Sequence, residues 1–170
     1  MEIKIIGLDP GTLNMGYGVL SVHPHSITWI DSGVLTSSKK SIGERIFELN
    51  YSLQKIFQKH KPDHCAIEKV FLGKNPKSAF ALGQAFSISL LNAYQHSCKV
   101  FEYETRVVKK SVTGTGSASK ESVAFMIKNI LKIKKDLTPM DQSDALAVAL
   151  CHSYACQTQH LQPPILSSIG

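Results

Sequence analysis

The sequence predicts an α/β fold: a mixed five-stranded sheet, an antiparallel meander continued by parallel strands, flanked by helices. Three observations predict it. Ile3-Lys4-Ile5-Ile6-Gly7-Leu8 is a short, Ile-rich run stopped by Asp9-Pro10-Gly11, the pattern of a buried strand ending in a tight turn. Two more strand-like runs follow on links too short for a crossover, so they fold back antiparallel. Beyond them, apolar spacings of three and four alternate with short apolar runs, which reads as helix, strand, helix, strand and then helices.

Taken in order, Gly16-Tyr17-Gly18-Val19-Leu20-Ser21-Val22 and Ile27-Thr28-Trp29-Ile30 form the rest of the meander, the second continuing to Thr36. Ile42, Ile46, Leu49, Leu53 and Ile56 mark an amphipathic helix over 41–60, ended by Lys61-Pro62-Asp63. A strand over 64–70 comes after this helical crossover, so it is parallel to its neighbour and belongs beside the first strand. Asn75 as N-cap and Pro76 in the first position open a helix to about His96. That helix is apolar almost all round (Phe80, Leu82, Phe86, Ile88, Leu90, Leu91), so it is deeply buried or pairs with a second copy. Residues 99–103 form the fifth strand. A short basic helix with Arg106, Lys109 and Lys110 then leads to Gly114-Thr115-Gly116-Ser117 and a helix through Ile133. The last helix starts at Thr138-Pro139-Met140-Asp141. From Gln157 the chain is polar and aperiodic, so residues 1–156 are expected to be one domain and 157–170 a disordered tail.

Composition sets bounds on function. The 170 residues are 43% hydrophobic and 19% charged, globular values with enough length for a substantial core. No apolar run reaches the ~20 residues that span a bilayer, and the start does not read as a signal peptide. Cys65, Cys98, Cys151 and Cys156 show no CxxC spacing, so reduced thiols in a cytoplasmic protein are expected. Cys151-His152 with Cys156 reads as an apolar helix rather than a metal cluster. Nineteen Lys+Arg against 13 Asp+Glu give +6, a modest excess that suits an anionic partner such as nucleic acid. Several of the lysines belong simply to a solvated helix face.

The acids carry the chemistry. Asp9 ends the first strand, where its carboxylate either holds a metal or caps its own Pro-Gly turn as an Asx-turn. Glu68 faces water if its strand is an edge, and meets Asp9 if that strand lies inside the sheet. Asp141 and Asp144 share one face of the last helix near its N-terminus. There Thr138, Pro139 and Asp141 also resemble a capping arrangement. The small residues after Asp144 let this helix approach the sheet, holding both acids at its rim. Carboxylates from three segments gathered at one rim repel unless divalent cations lie between them. Two hard cations so held activate a water, clamp a phosphoryl oxygen and stabilise the leaving oxygen, and carboxylate ligands select Mg²⁺ or Mn²⁺.

An ordered set of motifs sharpens this. Gly7-Leu8-Asp9-Pro10-Gly11-Thr12 with Gly16-Tyr17-Gly18-Val19 is followed by Ala66-Ile67-Glu68-Lys69-Val70-Phe71, Lys74-Asn75 and Leu82-Gly83-Gln84-Ala85. Gly114-Thr115-Gly116-Ser117-Ala118 with Lys120, and Asp141-Gln142-Ser143-Asp144-Ala145-Leu146-Ala147, complete it. Together they resemble the RuvC family of bacterial crossover (Holliday) junction endodeoxyribonucleases, of the ribonuclease H-like superfamily. The resemblance implies that Asp9, Glu68, Asp141 and Asp144 are catalytic, metal-binding acids using two Mg²⁺ ions. It implies a cytoplasmic homodimer that makes paired nicks in a four-way DNA junction, leaving 5′-phosphates, and works with the RuvAB branch-migration motor. It places DNA contacts at Lys74, Lys109 and Lys120, and a stacking aromatic at Phe71. By spacing alone, Phe71 is equally a core anchor. Two positions depart from the family pattern: Phe86-Ser87 replaces the usual Arg-Gly, and Glu121 the usual Gln.

Two rivals are weaker. Asp-Pro-Gly-Thr also resembles the first phosphate loop of actin-like ATPases, but that fold needs a second such loop in a duplicated half, which 170 residues cannot supply. A ribonuclease H-like domain that only binds nucleic acid has no need of four carboxylates facing phosphate.

Overall fold

The computed structural model describes residues 2–70 and 75–157. Ten elements follow in the order β1 (Ile3–Asp9), β2 (Asn14–His23), β3 (Ser26–Thr36), α1 (Ile42–His60), β4 (His64–Glu68), α2 (Pro76–Gln95), β5 (Lys99–Tyr103), α3 (Thr105–Thr113), α4 (Lys120–Ile130) and α5 (Asp141–Gln157). The sheet order is β3-β2-β1-β4-β5. β1, β2 and β3 pair antiparallel, whereas β4 pairs parallel with both β1 and β5. A bulge between Val19 and Leu20 leaves Ile30 without a partner in the β2–β3 ladder, and Ile30 stays exposed.

The two-residue period of the strands sorts their side chains between two cores. Ile6, Leu8, Val19, Cys65, Ile67 and Val100 pack with Leu49, Leu53 and Phe57 of α1 and with Ala85 and Ile88 of α2. On the other face Ile5, Leu20, Ala66, Phe101 and Tyr103 pack against α3, α4 and α5. Burying one side chain such as Leu53 fully stabilises by about 1.5–3 kcal/mol, so both faces are needed. The same alternation puts Gly7 and Asp9 of β1, and His64 and Glu68 of β4, on the α5 side.

Local sequence sets the element ends. Ser41 caps α1, its hydroxyl oxygen accepting from the Glu44 N–H at 3.3 Å. Lys61 closes the helix in a left-handed conformation (φ 48°), its N–H donating to Phe57 O. Asp63 then ties β4 in: its carboxylate accepts from the Lys4 N–H at 2.8 Å, and its carbonyl accepts from Lys99 N–H. Asn75 caps α2 as expected, accepting from the Lys77 and Ser78 N–H groups.

Four boundaries differ from the sequence expectations. β4 stops at Glu68 rather than residue 70, although the Lys69 N–H still donates to Tyr103 O. α4 ends at Ile130 rather than Ile133, because Lys132 turns left-handed (φ 54°) and sends the Ile133 N–H to Lys128 O. α5 starts at Asp141, not Thr138, with the Asp144 N–H bonded to Met140 O. Gln157, assigned by its polarity to the tail, is the last residue of α5 and donates to His23 O at 3.4 Å. The rest of that tail lies outside the described residues. All four cysteines are free thiols, and no described helix is long and apolar enough to cross a membrane.

Candidate active site

Asp9 is the last residue of β1, and the parallel pairing of Leu8 with Ile67 sets Glu68 beside it on the α5 face. β4 lies between β1 and β5, which rules out the reading of Glu68 as an edge residue facing water. α5 crosses over these strands with its first turn at the same rim. It comes this close because β1 and β2 present glycines beneath it. A Cβ on Gly7 would sit 2.2 Å from Ala145 O, and one on Gly16, the β2 partner of Asp9, 2.0 Å from Asp141 O. The small residues Ala145 and Ala149 complete the seat, as the sequence suggested.

Asp9, Glu68 and Asp144 line a cleft of about 140 Å³ with Thr105, Lys109 and Lys120. Asp141, one turn before Asp144, does not line the cleft but is near enough to act on the charge of both Asp9 and Lys120. Asp141 is the first helical residue, so the capping arrangement proposed from Thr138 and Pro139 does not exist. Nor is Asp9 an Asx-turn: among the described residues, no N–H of its Pro-Gly turn donates to it. Lys120 reaches in from the start of α4, its Nζ donating to Asp144 Oδ2 at 2.8 Å. Lys109 Nζ donates to Ala118 O at 2.7 Å, which fixes the loop before α4 beside the cleft. Phe71 and Lys74 lie outside the described residues.

Thr105 was not legible as a site residue. Its hydroxyl donates to Glu68 Oε1. That contact exists only because Tyr103 pairs with Glu68 in the β4–β5 ladder, so that α3 begins next to the acid. A Thr after a strand carries no signal of this by itself.

The charges here are under strain. Burial pushes the Asp9 pKa up to about 7, with Glu68, Asp144 and Asp141 adding repulsion and Lys120 offsetting part of it. Burial also raises Glu68, against the Thr105 hydrogen bond that lowers it. The hydrogen bond to Asp144 raises Lys120. An acid whose pKa is raised by folding binds its proton more tightly when folded. Its contribution to stability is therefore complete below the ordinary Asp value, declines as pH rises, and is gone above about 7. Burial also lowers His152 to about 3, which favours the folded state as pH rises, so the Asp9 contribution is read against Asp9→Asn. In EDTA the wild type should lose melting temperature relative to that variant as pH is raised from 4 to 7.5. A difference that stays flat or reverses would show that Asp9 is not held above its ordinary value.

A β3-β2-β1-β4-β5 sheet, antiparallel on one side of β1 and parallel on the other, with helices on both faces and acids gathered at one rim, defines a ribonuclease H-like protein. More narrowly, the chain belongs to the crossover junction endodeoxyribonuclease RuvC family, whose model matches residues 5–152. Among similar proteins, the RuvC of Ehrlichia ruminantium (strain Welgevonden) is 45% identical over 157 residues, covering 90% of this chain and 98% of the relative. That of Aliarcobacter butzleri is 38% identical over 151 residues, covering 89% and 98%. The structure of T. thermophilus RuvC in complex with Holliday junction substrate superposes with a TM-score of 0.87 at 28% identity, over 95% of this chain and 99% of that one.

Proposed function

We propose that the chain is a bacterial, cytoplasmic resolvase of four-way DNA junctions in recombination and repair. It hydrolyses phosphodiester bonds with divalent cations in paired nicks that leave 5′-phosphates. The observation that carries this is the gathering of four acids at one rim, where burial first and then the repulsion of Glu68, Asp144 and Asp141 move the Asp9 pKa to about 7. A rim of acids that repel one another is a poor stabiliser and a good cation site. The donors fit hard cations, since all are carboxylate oxygens, and the Lys120 ammonium on Asp144 already marks where positive charge is drawn.

Asp9, Glu68, Asp141 and Asp144 would hold two Mg²⁺ ions, with Mn²⁺ able to replace them. When bound, such ions supply charge for the phosphoryl and leaving oxygens and lower the pKa of water. The chain's residues do the rest. Thr105 holds Glu68 in one rotamer. The ammonium groups of Lys109 and Lys120 flank the cleft and meet the phosphate backbone there, and the side chain of Lys120 is 59% exposed, free to swing from Asp144 to a phosphate. Phe71 and Lys74, in the segment after β4, extend the contact by stacking on a base and pairing with phosphate. Residues 1–156 act as one nuclease domain.

A junction offers two equivalent strands, and a homodimer brings two clefts to them. α2 supports this: Phe80 is 72% exposed, and Leu91 and Tyr94 lie open further along the same helix face, near-apolar surface left uncovered by the described residues. Partnership with the RuvAB motor rests on family resemblance.

The test is cutting of a synthetic four-way junction beside duplex and single-strand controls, with Mg²⁺ or EDTA. Selective, Mg²⁺-dependent paired nicks are expected, from a protein that sediments as a dimer. Lys109→Ala and Lys120→Ala should each weaken junction binding and reduce its salt slope by up to about one counterion. Equal cutting of duplex and junction, or cutting in EDTA, would overturn the assignment.

A further inference from the structure

We infer that His64, His152 and Cys156 form a zinc site at the end of the sheet opposite the carboxylates. The sequence offers only half of it. His152 and Cys156 are four apart, so they share one face of α5, but a helical pair lacks a third ligand. The fold supplies it from 88 residues upstream: His64 opens β4 and, by strand alternation, points to the α5 side.

The three donor atoms are His64 Nδ1, His152 Nε2 and Cys156 Sγ, and all lie within 4.8 Å of one another. His64 Nδ1 is 2.9 Å from His152 Nε2, and Cys156 Sγ is 3.4 Å from His152 Nε2 and 3.8 Å from His64 Nδ1. Tetrahedral zinc bonds of the usual lengths place two nitrogens about 3.3 Å apart and nitrogen and sulfur about 3.5 Å apart. The two sulfur distances bracket that value. The imidazoles are closer by a few tenths of an ångström, as a shared proton would draw them.

The surroundings fit as well. Tyr103 Oη lies 2.7 Å from His152 Nδ1, so a proton on Nδ1 donated to Tyr103 leaves the Nε2 lone pair for a metal. An outer partner of this kind fixes ring and tautomer at metal-bound histidines. Phe101 packs on the His152 ring at 4.2 Å between centroids and on His64 at 5.2 Å, walling the site with apolar surface. Cys156 is half-buried, whereas both histidines are buried, so the thiol is the donor nearest to solvent. One thiolate and two imidazoles are borderline-soft ligands, suited to Zn²⁺ and not to Mg²⁺. His64 and Glu68 are four strand residues apart, about 13 Å, so the two ends of the sheet hold cations of different chemistry. Binding expels the Cys156 thiol proton and requires the proton of His64 to sit on Nε2.

The test uses the full chain, stripped with chelator and returned to excess Mg²⁺ so that the carboxylates stay occupied. One equivalent of Zn²⁺ should be retained, raising the melting temperature, and Co²⁺ should give the thiolate charge-transfer band and visible bands of a tetrahedral site. Cys156→Ser should lose the charge-transfer band and bind Zn²⁺ at least about 100-fold more weakly, while still cutting junctions. Tyr103→Phe should weaken Zn²⁺ by about 10–100-fold. Asp9→Asn should keep its zinc. No charge-transfer band in the wild type, or equal Zn²⁺ uptake by wild type and Cys156→Ser, would overturn the site. The wild-type cobalt spectrum decides even if a variant fails to fold.

Discussion

Asp9→Asn should abolish Mg²⁺-dependent cutting of a four-way junction and leave metal-free binding of that junction equal to wild type or tighter. The substitution keeps shape and hydrogen-bonding capacity. It removes one charge from the centre of the acid cluster, where Glu68, Asp144 and Asp141 all act on it. Cations at such a site contribute several kcal/mol to the transition state, so the rate should fall by about 10³-fold or more. Binding moves the other way, because the same charge repels phosphate. Glu68→Gln, Asp141→Asn and Asp144→Asn should follow the pattern.

Stability separates this account from a structural one. At pH 8 in EDTA the wild type carries its buried Asp9 charge, and Asp9→Asn should melt higher. Below the Asp9 pKa of about 7 the folded wild-type carboxyl is protonated, so the two curves should draw together steadily and meet only below the ordinary Asp value. A shift of this size corresponds to about 4 kcal/mol at most. A variant that melts lower at every pH and still cuts in Mg²⁺ would remove Asp9 from the chemistry.

The strands and the acids on them were legible because both depend on short-range pattern. Ile5, Ile6 and Leu8 alternate between two cores, and that alternation by itself sends Asp9 to the α5 face. The crossover through α1 forces β4 parallel and inside the sheet, which settles Glu68. The start of α5 was misread for a physical reason. Thr138-Pro139-x-Asp141 satisfies the local rules of a helix N-terminus, yet the seat on Gly16 and Gly7 fixes where the helix can begin. Tertiary packing overrode a local preference. Thr105, the Lys120–Asp144 pair and the His64 contribution to the α5 cysteine–histidine pair are long-range juxtapositions, 24 to 92 residues apart along the chain. No spacing rule could expose them. Gly16 and Gly18 were visible only as part of a family motif, since nothing in one strand says that a helix must lie against it.

Gly16→Ala should therefore cost both stability and catalysis. Its Cβ would enter the backbone of α5, 2.0 Å from Asp141 O and 2.6 Å from Asp141 C, where no side chain can rotate away. Overpacking of this kind costs about 3 kcal/mol, or a melting temperature lower by about 6–12 °C for a chain of this size. Relief requires the first turn of α5 to lift from the sheet, and Asp141 and Asp144 lift with it. Displacing catalytic groups by about 1 Å lowers rates by about 10²-fold, so cutting should fall even well below the variant's own melting point. More Mg²⁺ should be needed for what activity remains. Gly43 of α1 is the control, because a Cβ there meets nothing within 4 Å. Gly43→Ala should stabilise by up to about 1 kcal/mol and cut as wild type does. If Gly16→Ala melts and cuts like Gly43→Ala, the first turn of α5 does not rest on β2, and the glycine is not what brings Asp141 to Asp9.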